Sequence, residues 1–294
     1  MRVFVTGATG FIGTAVVQEL LAEGHSVLGL ARSDASAATL AALGVDVQRG
    51  DLTDLDALAA GARATDGIIH LAFIHDFSTY LANAETDRRA AAAMADALAG
   101  TGKPLVATSA TAILAQGRLA LETDASDPAG HFRASSELVL SAAERDVRVS
   151  VVRLSPTVHG AGDHGFVPAL IGVAKKTGVS AFVGDGANRW PAVHRSDAAR
   201  LFRLALEKAA PGSRLHGVAE EGIPMRTIAE TIGAGLGLPT RSLAPDEAAA
   251  HFDWLARFVG IDNPTSSAIT RETLGWQPTG PDLLTDMQES GYFA

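Results

Sequence analysis

The sequence predicts an α/β fold, a doubly wound parallel sheet with helices on both faces and a smaller C-terminal lobe, and three observations predict it. Strand-like and helical runs alternate through the first half of the 294-residue chain, the pattern of a parallel sheet buried between helical layers. The first apolar run, residues 3–5, delivers directly into Gly7, Gly10 and Gly13 within MRVFVTGATGFIG. After Leu154 the alternation gives way to Pro156, His159, Gly160, Gly162, Gly165 and Pro168, a crossing from the sheet into a second lobe.

In order, strands at 3–5, 26–31 and 45–49 alternate with helices near 13–22 and 35–43. That βαβαβ unit is the mononucleotide-binding half of a Rossmann-type sheet. A strand at 67–71, a helical stretch from about 81 to 100, and a strand at 104–109 follow. The alanine-rich run 90–99 suits the helix interior. A helix near 134–144 leads into a strand at 149–154, and 196–208 reads as a helix with Ser196 as N-cap and Asp197 favouring its positive end. A strand at 214–219 and helical segments near 225–236 and 246–259 complete the chain. The expected division is a dinucleotide-binding unit, 1–155 completed by 191–220, and a substrate lobe, 156–190 with 221–294.

Composition narrows the function classes. The chain is long enough for a sizeable core, and 47% hydrophobic with 19% charged residues is ordinary for a soluble globular protein. A net charge of −9, with 24 Lys and Arg dispersed and no basic stripe, argues against nucleic acid as a partner. Cysteine is absent, which excludes disulfides, thiolate metal sites and a cysteine nucleophile; no metal site is expected. No run approaches the roughly twenty apolar residues of a membrane span. The first apolar run is strand-length and lacks a preceding basic region, so no signal peptide is read. A cytoplasmic protein with a small-molecule substrate and no membrane partner is expected.

Each glycine has a physical task. Gly7 allows the tight turn off the strand, Gly10 lets backbone N–H groups approach a pyrophosphate, and Gly13 lets the helix pack closely on the sheet. The helix starting near Phe11 aims its positive end at the phosphates, with Thr9 and Ile12 completing the loop. An ordinary strand-to-helix turn is the competing reading. The spacing GxxGxxG within TGATGFIG resembles the extended branch of the short-chain dehydrogenase/reductase superfamily, which includes NAD-dependent epimerases, dehydratases and 3β-hydroxysteroid dehydrogenases. The resemblance implies a nicotinamide dinucleotide cofactor and a dimer formed through two exposed helices.

About twenty residues past such glycines a carboxylate selects NAD and a basic residue accommodates a 2′-phosphate. Arg32, followed by Ser33, occupies that place in LGLARSD, and both are read as phosphate contacts that favour NADP(H) over NAD(H). An Arg32 that stacks on adenine or is merely exposed is the alternative. The resemblance assigns Asp51 and Leu52 to the adenine, although Asp51 is equally readable as a helix N-cap. It passes Leu71, Ala72 and Phe73, which follow His70, under the pyrophosphate, and turns the Pro156–Val158 backbone to the nicotinamide carboxamide.

The catalytic block departs from the family. Ser109, with Thr111 as a second hydroxyl, resembles the family's carbonyl-polarising turn, or else caps a strand end. HFRASSELVL resembles the YxxxK block but puts Phe132 at the tyrosine and Ser136 at the lysine. Phe donates no proton, and Ser carries no charge to lower a phenol pKa. Substitute donors are His131, Tyr80 and the neighbouring His75-Asp76, and His159 or His164. His75, Phe132, His159, Arg189 and Trp190 are the candidate pocket residues, the last two within the GDG-to-VH block that resembles the family's lobe closure; an exposed loop pair is their alternative. Trp254, Phe258 and Trp276 read as core or lid.

The leading function is NADPH-dependent reduction of a carbonyl, enone or imine-like group through a non-standard proton donor. The alternatives are an epimerase or dehydratase with the nucleotide as resident redox catalyst, and a non-catalytic NADP(H)-sensing protein.

Overall fold

Alternating side chains on each strand explain how one apolar run can feed two cores. A computed structural model describes residues 1–76, 79–114, 117–126 and 132–294, with the side chains of all but residues 80 and 132–135. Val3 and Val5 point into one buried cluster with Val16, Leu20, Phe202 and Trp276. Phe4 between them points into the other, with Leu58, Met94, Leu98 and Val149.

The first half runs β1 (Arg2–Thr6), α1 (Phe11–Ala22), β2 (Ser26–Ala31), α2 (Asp34–Ala42), β3 (Asp46–Arg49), α3 (Leu55–Arg63), β4 (Gly67–His70), α4 (Tyr80–Leu98), β5 (Pro104–Ala110) and β6 (Arg148–Leu154). A 3-10 segment, Phe132–Arg145, precedes β6. The second half runs β7 (Thr157–His159), α5 (Phe166–Thr177), β8 (Ser180–Val183), β9 (Arg189–His194), α6 (Arg195–Lys208), β10 (Ser213–Gly217), β11 (Glu220–Pro224), α7 (Met225–Leu236) and β12 (Thr240–Leu243). It ends with the short helices α8 (Ala248–Phe252), α9 (Ala256–Val259), α10 (Ala268–Leu274) and α11 (Leu283–Glu289).

As the sequence predicts, the main sheet is parallel throughout, in the order β10-β6-β5-β4-β1-β2-β3. The order reverses between β1 and β4, and ligands of such sheets bind in the crevice outside the strand ends at that switch point. β7, β9 and β11 form a small mixed sheet, and β8 pairs with β12. A separate core with Leu170, Trp190, Ile228, Phe252 and Leu283 fills the remaining lobe. No described helix is long and apolar enough to cross a membrane.

Several local expectations need correction. The helix expected over 246–259 is three short pieces, because Asp253 takes φ +53° and breaks it. The strand expected over 214–219 stops at Gly217. The N-cap of α6 is His194, whose Nδ1 accepts from the Ser196 amide at 3.3 Å. Asp197 does lie in the first turn of that helix, but its carboxylate also accepts from the Thr279 and Gly280 amides at 2.9 and 2.8 Å. It thereby ties a distant loop to α6.

Candidate cofactor and reaction site

Close packing of backbone on backbone builds the first part of the site. Gly7 has φ +70°, and a Cβ there would lie 2.8 Å from the Ala72 amide nitrogen. A Cβ on Gly13 would lie 1.9 Å from the Gly7 carbonyl oxygen. Gly10 is the N-cap of α1 with no side-chain capping bond, and the first turn carries no acidic residue. The amides at this helix start are therefore met by neither a cap nor a carboxylate, and its partial positive charge is available to an anion. These residues fit a pyrophosphate. Phe11 and Ile12 are half-buried and Thr9 is exposed beside them.

At the far end of β2, Arg32 is exposed, and among the described residues no carboxylate lies within ion-pair distance of it. Ser33 caps α2, accepting from the Ser36 amide at 3.2 Å. Asp51 is not a helix N-cap, for Asp54 takes that place on α3. Instead the Asp51 carboxylate accepts from the hydroxyl and amide of Thr53, both at 2.7 Å. Those bonds hold Asp51 below the usual carboxylate range, and the charge of Arg32 adds to the effect. Leu52 is buried next to it.

A buried polar chain connects this cradle to Ser136. The Ala72 amide donates to the Thr6 hydroxyl at 3.2 Å, which leaves the hydroxyl hydrogen for His70 Nδ1 at 2.6 Å. With Nδ1 accepting, the ring N–H is on Nε2, which lies 3.2 Å from Asp87 Oδ1 without hydrogen-bond geometry. Asp87 Oδ2 accepts from Ser136 Oγ at 2.7 Å. All four side chains are buried, and of their polar atoms His70 Nε2 makes no hydrogen bond. At the position the resemblance gives to lysine, this chain has a hydroxyl committed to a carboxylate. Asp87 carried no sequence signal, since it belongs to no spaced motif, and Thr6, although it opens TGATGFIG, has a partner that no spacing discloses.

The remaining candidates separate. Ser109 is buried at the end of β5. Thr111 donates to Asn263 Oδ1 at 2.9 Å, and the Asn263 amide returns a bond to the Thr111 carbonyl at 3.1 Å. That hydroxyl is therefore occupied in holding a loop. His131 lies outside the described residues, as do the side chains of Tyr80 and Phe132. Leu71, Ala72 and Phe73 are half-buried, and His75 is exposed with its ring 5.1 Å from that of Phe73. Pro156 and Val158 are half-buried beyond β6.

Of the lobe candidates, Arg189 is neither an unpaired loop residue nor an open anchor. It clasps Asp262 through two nitrogens at 3.0 and 2.9 Å. Trp190 is buried in the lobe core against Phe166, with centroids 5.3 Å apart. Trp276 is wholly buried, whereas Trp254 is 40% exposed and packs with Phe166 and Phe258. His159 is buried with Nδ1 2.8 Å from Asp286 Oδ2. Burial holds this imidazole below its ordinary pKa, against the pull of the Asp286 carboxylate.

The model of the NAD dependent epimerase/dehydratase family matches residues 3–216. An uncharacterized protein of Schizosaccharomyces pombe is 50% identical over 295 residues, covering 100% of each chain. The 2-alkyl-3-oxoalkanoate reductase of Stenotrophomonas maltophilia is 32% identical, over 81% of this chain and 77% of its own. Among solved structures, the dTDP-glucose 4,6-dehydratase DesIV of Streptomyces venezuelae, with NAD and TYD bound, superposes with a TM-score of 0.79 at 22% identity. It covers 100% of this chain and 96% of that one, a likeness of fold.

Proposed function

The chain belongs to the NAD dependent epimerase/dehydratase family, and on that premise we propose that it is an NADPH-dependent reductase of a small-molecule carbonyl, enone or imine-like group. Arg32 carries the cofactor choice: it stands at the end of β2, exposed and without a carboxylate at ion-pair distance among the described residues. A guanidinium there suits a 2′-phosphate and gives no acceptor to a 2′-hydroxyl. Ser33, beside it at the start of α2, is the second residue assigned to the same phosphate. When bound, the nucleotide supplies a hydride. The relative named for reduction of 2-alkyl-3-oxoalkanoates supports a carbonyl substrate.

The chain's own residues then have two tasks. Ser109, at the place the family's carbonyl-polarising hydroxyl takes, polarises the substrate oxygen. A proton reaches that oxygen from His131 or Tyr80, because the position of the family's lysine holds Ser136 tied to Asp87.

The test is to mix the protein with NADPH and a panel of 3-oxo acids, ketones, enones and imines, following nucleotide oxidation and product. Turnover with net NADPH loss supports the reductase. Isomerised product without such loss makes it an epimerase, and binding without turnover makes it a sensor. Arg32→Asp should lower the preference for NADPH over NADH by about 10- to 100-fold, roughly 1.4–2.7 kcal/mol; an unchanged preference overturns the cofactor assignment.

A further inference from the structure

We infer that Tyr292 is a positioning residue for the cofactor cradle, clasping the loop 159–165 and so setting where that loop meets Phe11 beside the glycine turn; the inference rests on the cofactor reading above. The loop joins β7 to α5, and the last helix with its following segment binds it at two places. At its start, His159 is held by Asp286 at 2.8 Å, and Asp286 in turn receives the Ser290 hydroxyl at 2.5 Å. In its middle, the Gly160 amide donates to the Tyr292 hydroxyl oxygen at 3.1 Å. That hydroxyl has one hydrogen to give, and Asp163 Oδ2 at 3.0 Å is nearer than the Gly160 carbonyl at 3.3 Å. Asp163 uses its other oxygen to accept from the Gly165 amide at 2.7 Å.

The other side of the loop faces the cradle. His164 meets the Phe11 ring edge-on, with centroids 5.8 Å apart. Arg195 lies over the same ring at 5.2 Å, and a Cβ on Gly160, whose φ is +144°, would come within 3.0 Å of the Arg195 side chain. Loop, Arg195 and Phe11 therefore form one packed unit at the first helical residue after the glycine turn.

Two features make the hydroxyl, rather than general packing, the tether. A cleft of about 350 Å³ lies between α5 and the 290–292 segment, bordered by Asp163, Lys175 and Tyr292, so the segment is not packed flush there. Phe293 anchors the segment independently against α7, where a Cβ on Gly235 would lie 2.4 Å from its ring. Removing one oxygen should then release the loop without detaching the segment.

The experiment compares wild type with Tyr292→Phe, which keeps the ring and loses the hydroxyl. NADPH affinity is measured by fluorescence titration, and exchange of the Gly160 amide is measured without nucleotide. The expected result is an NADPH Kd raised about fivefold, faster Gly160 exchange, and a melting temperature within a few degrees of wild type. Where turnover is found, KM for NADPH rises while kcat at saturation is kept. Faster exchange with a Kd within twofold of wild type overturns the inference, as does unchanged exchange. If wild type itself binds neither NADPH nor NADH, the cofactor reading fails and the inference with it; that outcome is distinct, because it is seen before any substitution is made.

Discussion

Gly13→Ala isolates what the glycine turn does for binding from what it does for folding. The added Cβ would sit 1.9 Å from the Gly7 carbonyl oxygen, 2.8 Å from the Gly7 carbonyl carbon and 3.0 Å from the Ala8 carbonyl carbon. All three are backbone atoms, so no side chain can swing aside. Reaching even the 3.0 Å of the tightest real contacts requires α1 and the turn to part by about 1 Å, and such overpacking costs about 1–3 kcal/mol. Alanine returns at most about 1 kcal/mol as the better helix former. The net loss of stability is therefore small, about 0–2 kcal/mol, while the Phe11 amide at the helix start is displaced by about twice the spread of N–H···O distances. Isothermal titration should show NADPH affinity falling at least about tenfold, roughly 1.4 kcal/mol. Gly172→Ala is the control, since nothing lies within 4 Å of its Cβ on α5; it should gain about 0.5–1 kcal/mol and bind as wild type. A Gly13→Ala protein that binds NADPH within twofold of wild type would refute the reasoning.

Two further outcomes follow from buried charge. Arg153 is wholly buried and grips Glu137 at 2.5 and 2.9 Å; Arg153→Met leaves that carboxylate with Ser126 at 2.7 Å and the longer Arg214 contact at 3.3 Å, so it should cost about 3 kcal/mol in denaturant titration, the low end for a broken buried pair, and a loss below about 1 kcal/mol would show that the pair is not held this way. Burial, aided by the Arg153 guanidinium, pulls His216 from 6.5 down to about 4, against the bond to the Ser266 carbonyl. Between pH 6.5 and 4 the unfolded chain takes up a proton that the folded protein refuses, so stability complete above that window declines as pH falls, by up to about 3 kcal/mol. His216→Gln should flatten that slope, and an unaltered slope would remove His216 as its source.

What was legible in the sequence is what is local. The bounds of β2 and α7 are those expected, because an apolar run or a helical period shows its own ends. The glycine turn is legible for the same reason, its packing partners lying within one β-turn-α unit. The satisfied polar groups were not legible: Asp87 and Ser136 are 49 residues apart, Thr111 and Asn263 are 152, and His159 and Asp286 are 127. Such pairs are created by topology, which brings β4, α4 and the 132–145 segment together, and no spacing rule encodes them. His194 as N-cap failed differently, since capping statistics favour the serine two residues later and an imidazole can accept the same amide.

The missing lysine acquires a physical meaning from Asp87. An ammonium beside this carboxylate would be satisfied by it, whereas here His70 and Ser136 meet the two oxygens. That carboxylate is linked through His70 to Thr6 and the Ala72 amide, at the strand end under the cradle. Among the described residues that arrangement holds no cation to acidify a phenol. A reduction at this site must therefore take its proton from a group acidic near neutral pH by its own chemistry or from one hydrated by solvent. That requirement favours His131 over Tyr80, because an unassisted imidazolium titrates at about 6.5 and an unassisted phenol at about 10. The pH profile of kcat/KM separates them: loss of activity as pH rises through about 6–7, abolished by His131→Gln and untouched by Tyr80→Phe, is the expected result, and the converse pattern would assign the proton to Tyr80.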